Sequence, residues 1–365
     1  MGGEIEFRAG DVSLRADYFD ISAYHGGRYP AGTALGQKAM QLAHSLLFPD
    51  GGRFVRGKCS VKTPFSGKGF EDAVEAVLRC TSLGRYTLDL DMPVPQGTVP
   101  APVRGKFFYR FSQEDGYAEL AVKPGLVPEE FYKISEDLRF GRVPAEAEEQ
   151  AMRLRRKIET ALLALDPEDI FDYSHKPCAT QEKVPFEEIP ALEDGFHLRL
   201  KDYGEYTVGI EQLRRYHGNA SLCGLCLAWS LVRQWARMEG YDKDGLPRRS
   251  VQVKSGALGD GIGDALEFLF RGRDGRIAVD TAWGDGTPAP KVMPGSGAFA
   301  FQLSLPGASR TFILKEKAAP TEYLRLCMAR NENPEEFKEE KARKSLQLEF
   351  ARRVLDDPEP FEVLE

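Results

Sequence analysis

The sequence predicts an α+β protein built from two similar units in tandem, each with the order α-β-α-β-β-β followed by amphipathic helices. The first observation is an internal repeat, because Tyr24-His25-Gly26 recurs as Tyr216-His217-Gly218, 192 residues later (217 − 25). The second is the length of 365 residues, which suits two domains better than one. The third is the composition, since 42% hydrophobic and 29% charged residues are ordinary values for a folded chain. We predict a first unit over 1–171, a linker over 172–195 and a second unit over 196–365.

The repeat includes glycines and acidic residues as well as apolar positions. Two helix-strand patterns that fall in phase by accident would share only their apolar spacing, so the sequence predicts a duplication. Beyond Pro144 the match continues at an offset of 190. Pairs at the offset of 192 include Gly32 and Gly224, Gly69 and Gly261, Asp72-Ala73 and Asp264-Ala265, and Lys123 and Lys315.

Hydrophobic periodicity predicts the same elements in both units. Leu35 and Leu42 recur with helical spacing in the first unit, as do Leu227 and Leu231 in the second. Gln113-Glu-Asp-Gly116 indicates a turn between the last two strands of the first unit. For the first unit we predict helices over 30–47, 70–79, 128–138 and 145–165 and strands over 54–62, 86–91, 106–111 and 117–122. For the second we predict helices over 223–238, 262–270, 320–329 and 335–355 and strands over 251–254, 276–280, 298–303 and 311–315.

Charge and hydropathy argue against several classes of partner. The chain has 49 Lys and Arg against 56 Asp and Glu, a net charge of −7 without a basic block, so we expect no nucleic-acid partner. No apolar run reaches the ~18 residues of a membrane span, and the N-terminus lacks the layout of a signal peptide. We therefore expect a cytoplasmic protein with no membrane partner. The six cysteines are too sparse for a disulfide framework.

Two histidines and two aspartates recur with the same spacing. His25 and His217 are each followed by glycine just before a predicted helix, and Asp72 and Asp264 follow them by 47 residues (72 − 25). A histidine with an aspartate can be a general base with its orienting partner, or two ligands of a metal. Alternatively, the aspartates cap a helix and the histidines fix a turn. We predict His217 and Asp264 as catalytic residues, and His25 and Asp72 as cofactor-binding residues.

A Cys-x-x-Cys pair occurs only in the second unit. Cys223 and Cys226 lie at a predicted helix start, where they could form half a zinc site, a redox pair or part of the core. We predict a metal site of His217, Cys223, Cys226 and Asp264. Asp260 is an alternative to Asp264, and His175 with Cys178 is a weaker completion.

A glycine-rich segment in the first unit, Ser66-Gly67-Lys68-Gly69, lacks the upstream Gly and the Ser or Thr of a phosphate-binding P-loop. Its counterpart in the second unit has Asp260 in place of Lys68. We interpret it as a turn.

Several of these residues together resemble the formylmethanofuran dehydrogenase E-subunit (FmdE) family, whose signature includes His-Gly-His-x-Cys-Pro-Gly and a later Asp-Ala. The residues that carry the resemblance are the two Tyr-His-Gly segments, a helix with Gly32 and Gly36, the Asp-Ala pairs, and Arg79-Cys-Thr-Ser-Leu-Gly-Arg85. The resemblance implies units with a mixed sheet, like the C-terminal domain of glyceraldehyde-3-phosphate dehydrogenase. It also implies a metal near the first helix, with zinc as the first candidate. It also implies an anaerobic source and a fused pseudo-dimer that could associate into a homo-oligomer.

The sequence departs from that signature in both units. Gly27 and Tyr29 in the first unit, and Asn219 and Ser221 in the second, stand where the family has its second His and its Cys. We therefore expect a degenerate site in the first unit, and a metal ion or small-molecule ligand in a cleft of the second. The alternatives are a metal-free accessory or ligand-binding protein, and thiol redox chemistry at Cys223 and Cys226.

Overall fold

In a computed structural model the chain divides into two units, Met1–Ile189 and Pro190–Glu365. The structure describes residues 3–102, 104–139, 146–179, 192, 194–218, 220–257, 259–272, 275–291, 297–329 and 340–364. The boundary lies inside the predicted linker. However, the first residues of that linker form a strand of the first unit, so the unit extends beyond residue 171. Within the described residues, no helix is both long and apolar enough to cross a membrane.

The first unit contains a small sheet and a five-stranded mixed sheet with helices. Its strands are β1 Ile5–Ala9, β2 Val12–Ala16, β3 Phe54–Val55, β4 Ser60–Thr63, β5 Tyr86–Leu88, β6 Phe108–Gln113, β7 Gly116–Val122 and β8 Phe171–Lys176. Its helices are α1 Tyr18–His25, α2 Pro30–Leu47, α3 Lys68–Leu78, α4 Glu129–Arg139, α5 Glu146–Ala164 and α6 Pro167–Ile170. The orders are β2-β1-β3 and β5-β4-β6-β7-β8. The pairs β1·β3 and β4·β5 are parallel and the others are antiparallel.

Local sequence explains where the central helix α2 begins and why it lies against the large sheet. Pro30 occupies its first turn, where the missing N–H is not needed. In β6 the side chains alternate, with Tyr109 and Phe111 buried and Arg110 and Ser112 partly exposed. The buried face supports α2, which contacts β7, α3 and α5.

The second unit has the same arrangement of sheets. Its strands are β9 Leu198–Lys201, β10 Glu205–Val208, β11 Leu246–Pro247, β12 Gln252–Ala257, β13 Ile277–Val279, β14 Gly297–Leu305, β15 Ala308–Leu314 and β16 Phe361–Leu364. Its helices are α7 Ile210–His217, α8 Leu222–Met238, α9 Tyr241–Asp244, α10 Asp260–Phe270, α11 Thr281–Asp285, α12 Thr321–Ala329 and α13 Glu340–Asp356. The orders are β10-β9-β11 and β13-β12-β14-β15-β16. Here too the first and third strands of the small sheet are parallel, as are β12 and β13.

The mixed α+β class and most predicted elements are confirmed, and α2 matches its predicted bounds. The prediction missed the hairpin and short helix that open each unit, because short strands of mixed polarity carry little periodic signal. It also placed His25 and His217 in loops, whereas each is the last residue of a helix. The start of the helix predicted over 335–355 lies outside the described residues.

Glycines bring two helices into close contact in each unit. A Cβ on Gly69 would overlap the carbonyl oxygen of Tyr29, and one on Gly261 would overlap that of Ser221. The start of α3 therefore lies directly against the start of α2, and α10 lies in the same way against α8. This contact explains why both glycines recur at the offset of 192.

We expect Gly261→Ala to lower the free energy of unfolding by about 2 kcal/mol or more, because backbone must move to admit the methyl group. The matched control is Gly263→Ala on the same helix, where an added Cβ meets nothing within 4 Å. That variant should be neutral or up to ~1 kcal/mol more stable, since alanine favours helix. Melting temperatures of the two variants test this, and equal changes would contradict the close helix contact.

Candidate functional site

The predicted histidine–aspartate pairs form in both units with the same geometry. His25 Nδ1 lies 2.7 Å from Asp72 Oδ2, and its Nε2 accepts a hydrogen bond from the backbone N–H of Tyr29 at 2.8 Å. His217 Nδ1 lies 2.7 Å from Asp264 Oδ2, and its Nε2 accepts from the N–H of Ser221 at 3.1 Å. The histidine side chains are only 2% and 3% exposed.

Both nitrogens of each imidazole are thus occupied within the fold. Because Nε2 accepts from a backbone N–H, the ring proton resides on Nδ1 and is donated to the aspartate. Each histidine ties the end of one helix to the starts of the next two. In this arrangement neither nitrogen has a lone pair directed at a substrate or a metal, and the geometry favours a structural role.

The cysteine pair lies in the core of the second unit. Cys223 Sγ is 3.2 Å from the hydroxyl of Tyr323, and burial raises the pKa of Cys223 to about 11. Cys226 has no exposed surface, and burial raises its pKa as well. Both thiols are therefore protonated near neutral pH, whereas metal ligation and redox exchange need the thiolate.

Of the four predicted metal ligands, His217 and Asp264 pair with each other, but the four do not form one site. Among the described residues, no group of three or more His, Cys, Asp or Glu side chains could hold a metal ion. The predicted set of His217, Cys223, Cys226 and Asp264 therefore forms no such group. His175 lies on exposed strand β8 of the first unit, and Cys178 Sγ contacts the carbonyl oxygen of Gln113 at 3.3 Å. The divalent metal stays a prediction.

A cavity of about 410 Å³ lies in the first unit, between the starts of α2 and α3, the segment after β7, and helices α4 and α5. The residues that line it are mainly apolar. Five fully or nearly buried side chains form its floor, namely Leu35, Phe107, Val122, Ile158 and Leu162. Its volume lies in the range of small-molecule sites, which run from about 300 to 1,000 Å³.

Charged residues also line this cavity. They are four cations, Arg28, Lys68, Arg104 and Arg155, and one carboxylate, Glu148. Arg155 donates from Nη1 to Glu148 Oε1 at 3.2 Å, and the Lys68 ammonium lies 2.6 Å from Glu71. The cavity thus combines an apolar floor with a positively charged wall.

No protein-family model matches the sequence, and comparison with curated proteins gives no match. The two units differ at the cavity of the first unit and the corresponding positions of the second.

In the second unit the residues at those positions contact one another. The hydroxyl of Tyr323 meets Cys223, and the ring of Phe350 lies 5.4 Å from that of Tyr323 and 5.6 Å from that of Phe299. These four residues follow cavity-lining residues by 192 positions. The pairs are Ala31 and Cys223, Phe107 and Phe299, Phe131 and Tyr323, and Ile158 and Phe350.

The buried faces of α5 and α13 have the same helical period. Buried Ile158 and Leu162 are followed 192 residues later by buried Phe350 and Val354. At the strands that follow, Phe171 and Phe361 occupy the same register position, so the predicted offset of 190 holds there. At three of the four positions the second unit carries a larger side chain than the first, and these side chains contact one another.

Sequence reasoning missed this cavity and favoured the second unit. The signal was nevertheless present, because the repeat pairs Arg28 with Ala220 and Lys68 with Asp260. Positive charge at these positions therefore occurs only in the first unit. The segment 66–69, interpreted only as a turn, forms part of the rim.

Proposed function

We propose that the first unit binds one small molecule with an extended apolar chain in this cavity, without covalent chemistry. The observation that carries the proposal is the 410 Å³ cavity with its floor of buried apolar side chains. Burial of a hydrocarbon chain there is favourable at roughly 25 cal/mol per Å² of apolar surface removed from water. The proposed ligand therefore lies in the first unit, whereas the sequence predicted one in the second.

The cavity volume indicates the size of the ligand. If a carbon-sized group takes about the 30 Å³ of a water molecule, a cavity of this volume holds a chain of about a dozen carbons. Ligands with a single twelve-carbon chain are therefore suitable probes.

We also infer that the chain arose by duplication and that each unit has the fold of the FmdE family. The matching strand orders and the two identical His–Asp pairs support this proposal. A bound divalent metal and a pseudo-dimeric arrangement belong to the same proposal, and elemental analysis and solution scattering test them.

Native mass spectrometry and calorimetric titration with dodecanol and dodecanoate test the binding proposal. We expect one molecule of at least one of these ligands per chain. Ile158→Phe, which introduces the residue of the second unit, should weaken binding about tenfold or more because it fills the cavity. Ala161→Phe, an exposed position on the same helix, is the control and should bind as the unaltered protein does. Absence of binding, or equal binding by both variants, would overturn the proposal.

A further inference from the structure

We infer that the ligand of this cavity carries an oxyanionic head group, a carboxylate or a phosphate ester, which Arg155 binds together with Arg28. This inference rests on the proposed function and specifies the chemical class of the ligand.

The first observation is the nearly complete burial of the Arg155 side chain. This side chain is 10% exposed and lines the cavity. Among the described residues, its one hydrogen bond is from Nη1 to Glu148, whose side chain is 49% exposed. A guanidinium has five N–H donors, and a buried cation is costly unless its donors are used. A planar or tetrahedral oxyanion in the cavity would accept two of them side by side.

A second arginine lies against the same aromatic ring as Arg155. The guanidinium carbons of Arg28 and Arg155 lie 5.3 and 5.2 Å from the centre of the Tyr29 ring. Both guanidinium groups therefore lie within cation–π distance of one ring, and that ring lines the cavity. An oxyanion beside this ring would be attracted by both cations.

The rim of the cavity adds positive charge. Arg104 is exposed there and makes no ion pair with the described residues, and Lys68, which pairs with Glu71, is a further lining residue. Positive potential at the opening would attract an anionic ligand and repel a cationic one.

The second unit shows that the fold does not require these cations. The residues 192 positions after Arg28, Lys68 and Arg155 are Ala220, Asp260 and Gln347. All three positive charges are therefore missing from the second unit, in which Phe350 contacts Tyr323 and Phe299. The cations accompany the cavity of the first unit, as expected if both serve one ligand. The head group would lie at Arg155 and the chain would reach Leu35 and Leu162.

Titration with four ligands of equal chain length tests the head group: dodecanoate, dodecyl phosphate, dodecanol and dodecyltrimethylammonium. We expect both anions to bind about tenfold or more tightly than dodecanol, and the cation to bind most weakly. The tighter of the two anions identifies the head group as carboxylate or phosphate.

Arg155→Met should bring the affinity for the anions to that for dodecanol and leave the affinity for dodecanol unchanged. Arg153→Met, at an exposed position of the same helix, should change nothing.

A second variant gives the opposite sign and does not depend on the folding of Arg155→Met. Glu148→Gln should tighten binding of the anions severalfold, because Glu148 competes with the ligand for Arg155. If dodecanol and the anions bound with equal affinity, and neither variant changed the affinity for the anions, the proposal of an anionic head group would be overturned. The proposal of an apolar ligand site would remain. Failure of all four ligands to bind would overturn both proposals.

Discussion

Replacing Arg248 by methionine is expected to lower the free energy of unfolding by about 3 to 5 kcal/mol. Its side chain has no exposed surface, and burial lowers its pKa to about 9, so the guanidinium stays charged at pH 7. It donates from Nε to the carbonyl oxygen of Leu269 at 3.1 Å and from Nη2 to that of Phe268. These are terminal carbonyls of α10. Methionine would leave them buried without a donor.

The neighbouring residue provides the matched control. Arg249, 38% exposed, pairs with Asp202, and Arg249→Met should cost no more than about 1 kcal/mol. In the first unit, Arg56 donates to the carbonyl of Val77 at 2.8 Å, 192 positions before the Arg248 contact with Leu269. Arg56→Met should also destabilise, but less, because this side chain is partly exposed. Thermal unfolding of the three variants tests these expectations. Equal melting temperatures for Arg248→Met and Arg249→Met would contradict the role of Arg248.

Replacing His217 or His25 by alanine is expected to cost about 2 to 4 kcal/mol each, a fall of roughly 5 to 15 °C in melting temperature for units of this size. Each substitution removes two buried hydrogen bonds and the link between three helices. The equal geometry of the two pairs predicts similar losses in the two variants.

Two further variants separate a structural histidine from a reactive one. Asp264→Asn keeps an oxygen that can accept from Nδ1–H of a neutral imidazole, so we expect a loss of about 1 kcal/mol or less. His197→Ala removes an exposed histidine and should leave the melting temperature unchanged. If His217→Ala were as stable as His197→Ala, the ring would not hold the helices together, and a role in chemistry would become the better explanation.

Local patterns made much of the fold predictable. Apolar spacing and Pro30 define α2, and the recurring glycines mark the places where α3 and α10 approach a neighbouring helix. The pairing of His25 with Asp72 was also predictable, because the same separation of 47 residues occurs twice. Repetition within one chain gave information that a single copy would not provide.

The role of the site was harder to predict because it depends on contacts between distant segments. Cys223 and Cys226 suggested a metal, yet their place on the buried face of α8 leaves them as protonated core thiols. The cavity likewise depends on side-chain volume at positions far apart in sequence, such as Ala31 and Ile158. No local periodicity reports whether such positions leave a space or fill it.

Hydrogen–deuterium exchange with and without saturating dodecanoate tests directly whether the first unit holds the ligand. We expect slower exchange of backbone amides in α4, α5 and the first turn of α2, which line the cavity, and unchanged exchange in α8, α12 and α13. Protection centred on Cys223 and Tyr323 in the second unit, or no protection in either unit, would contradict a ligand site in the first unit.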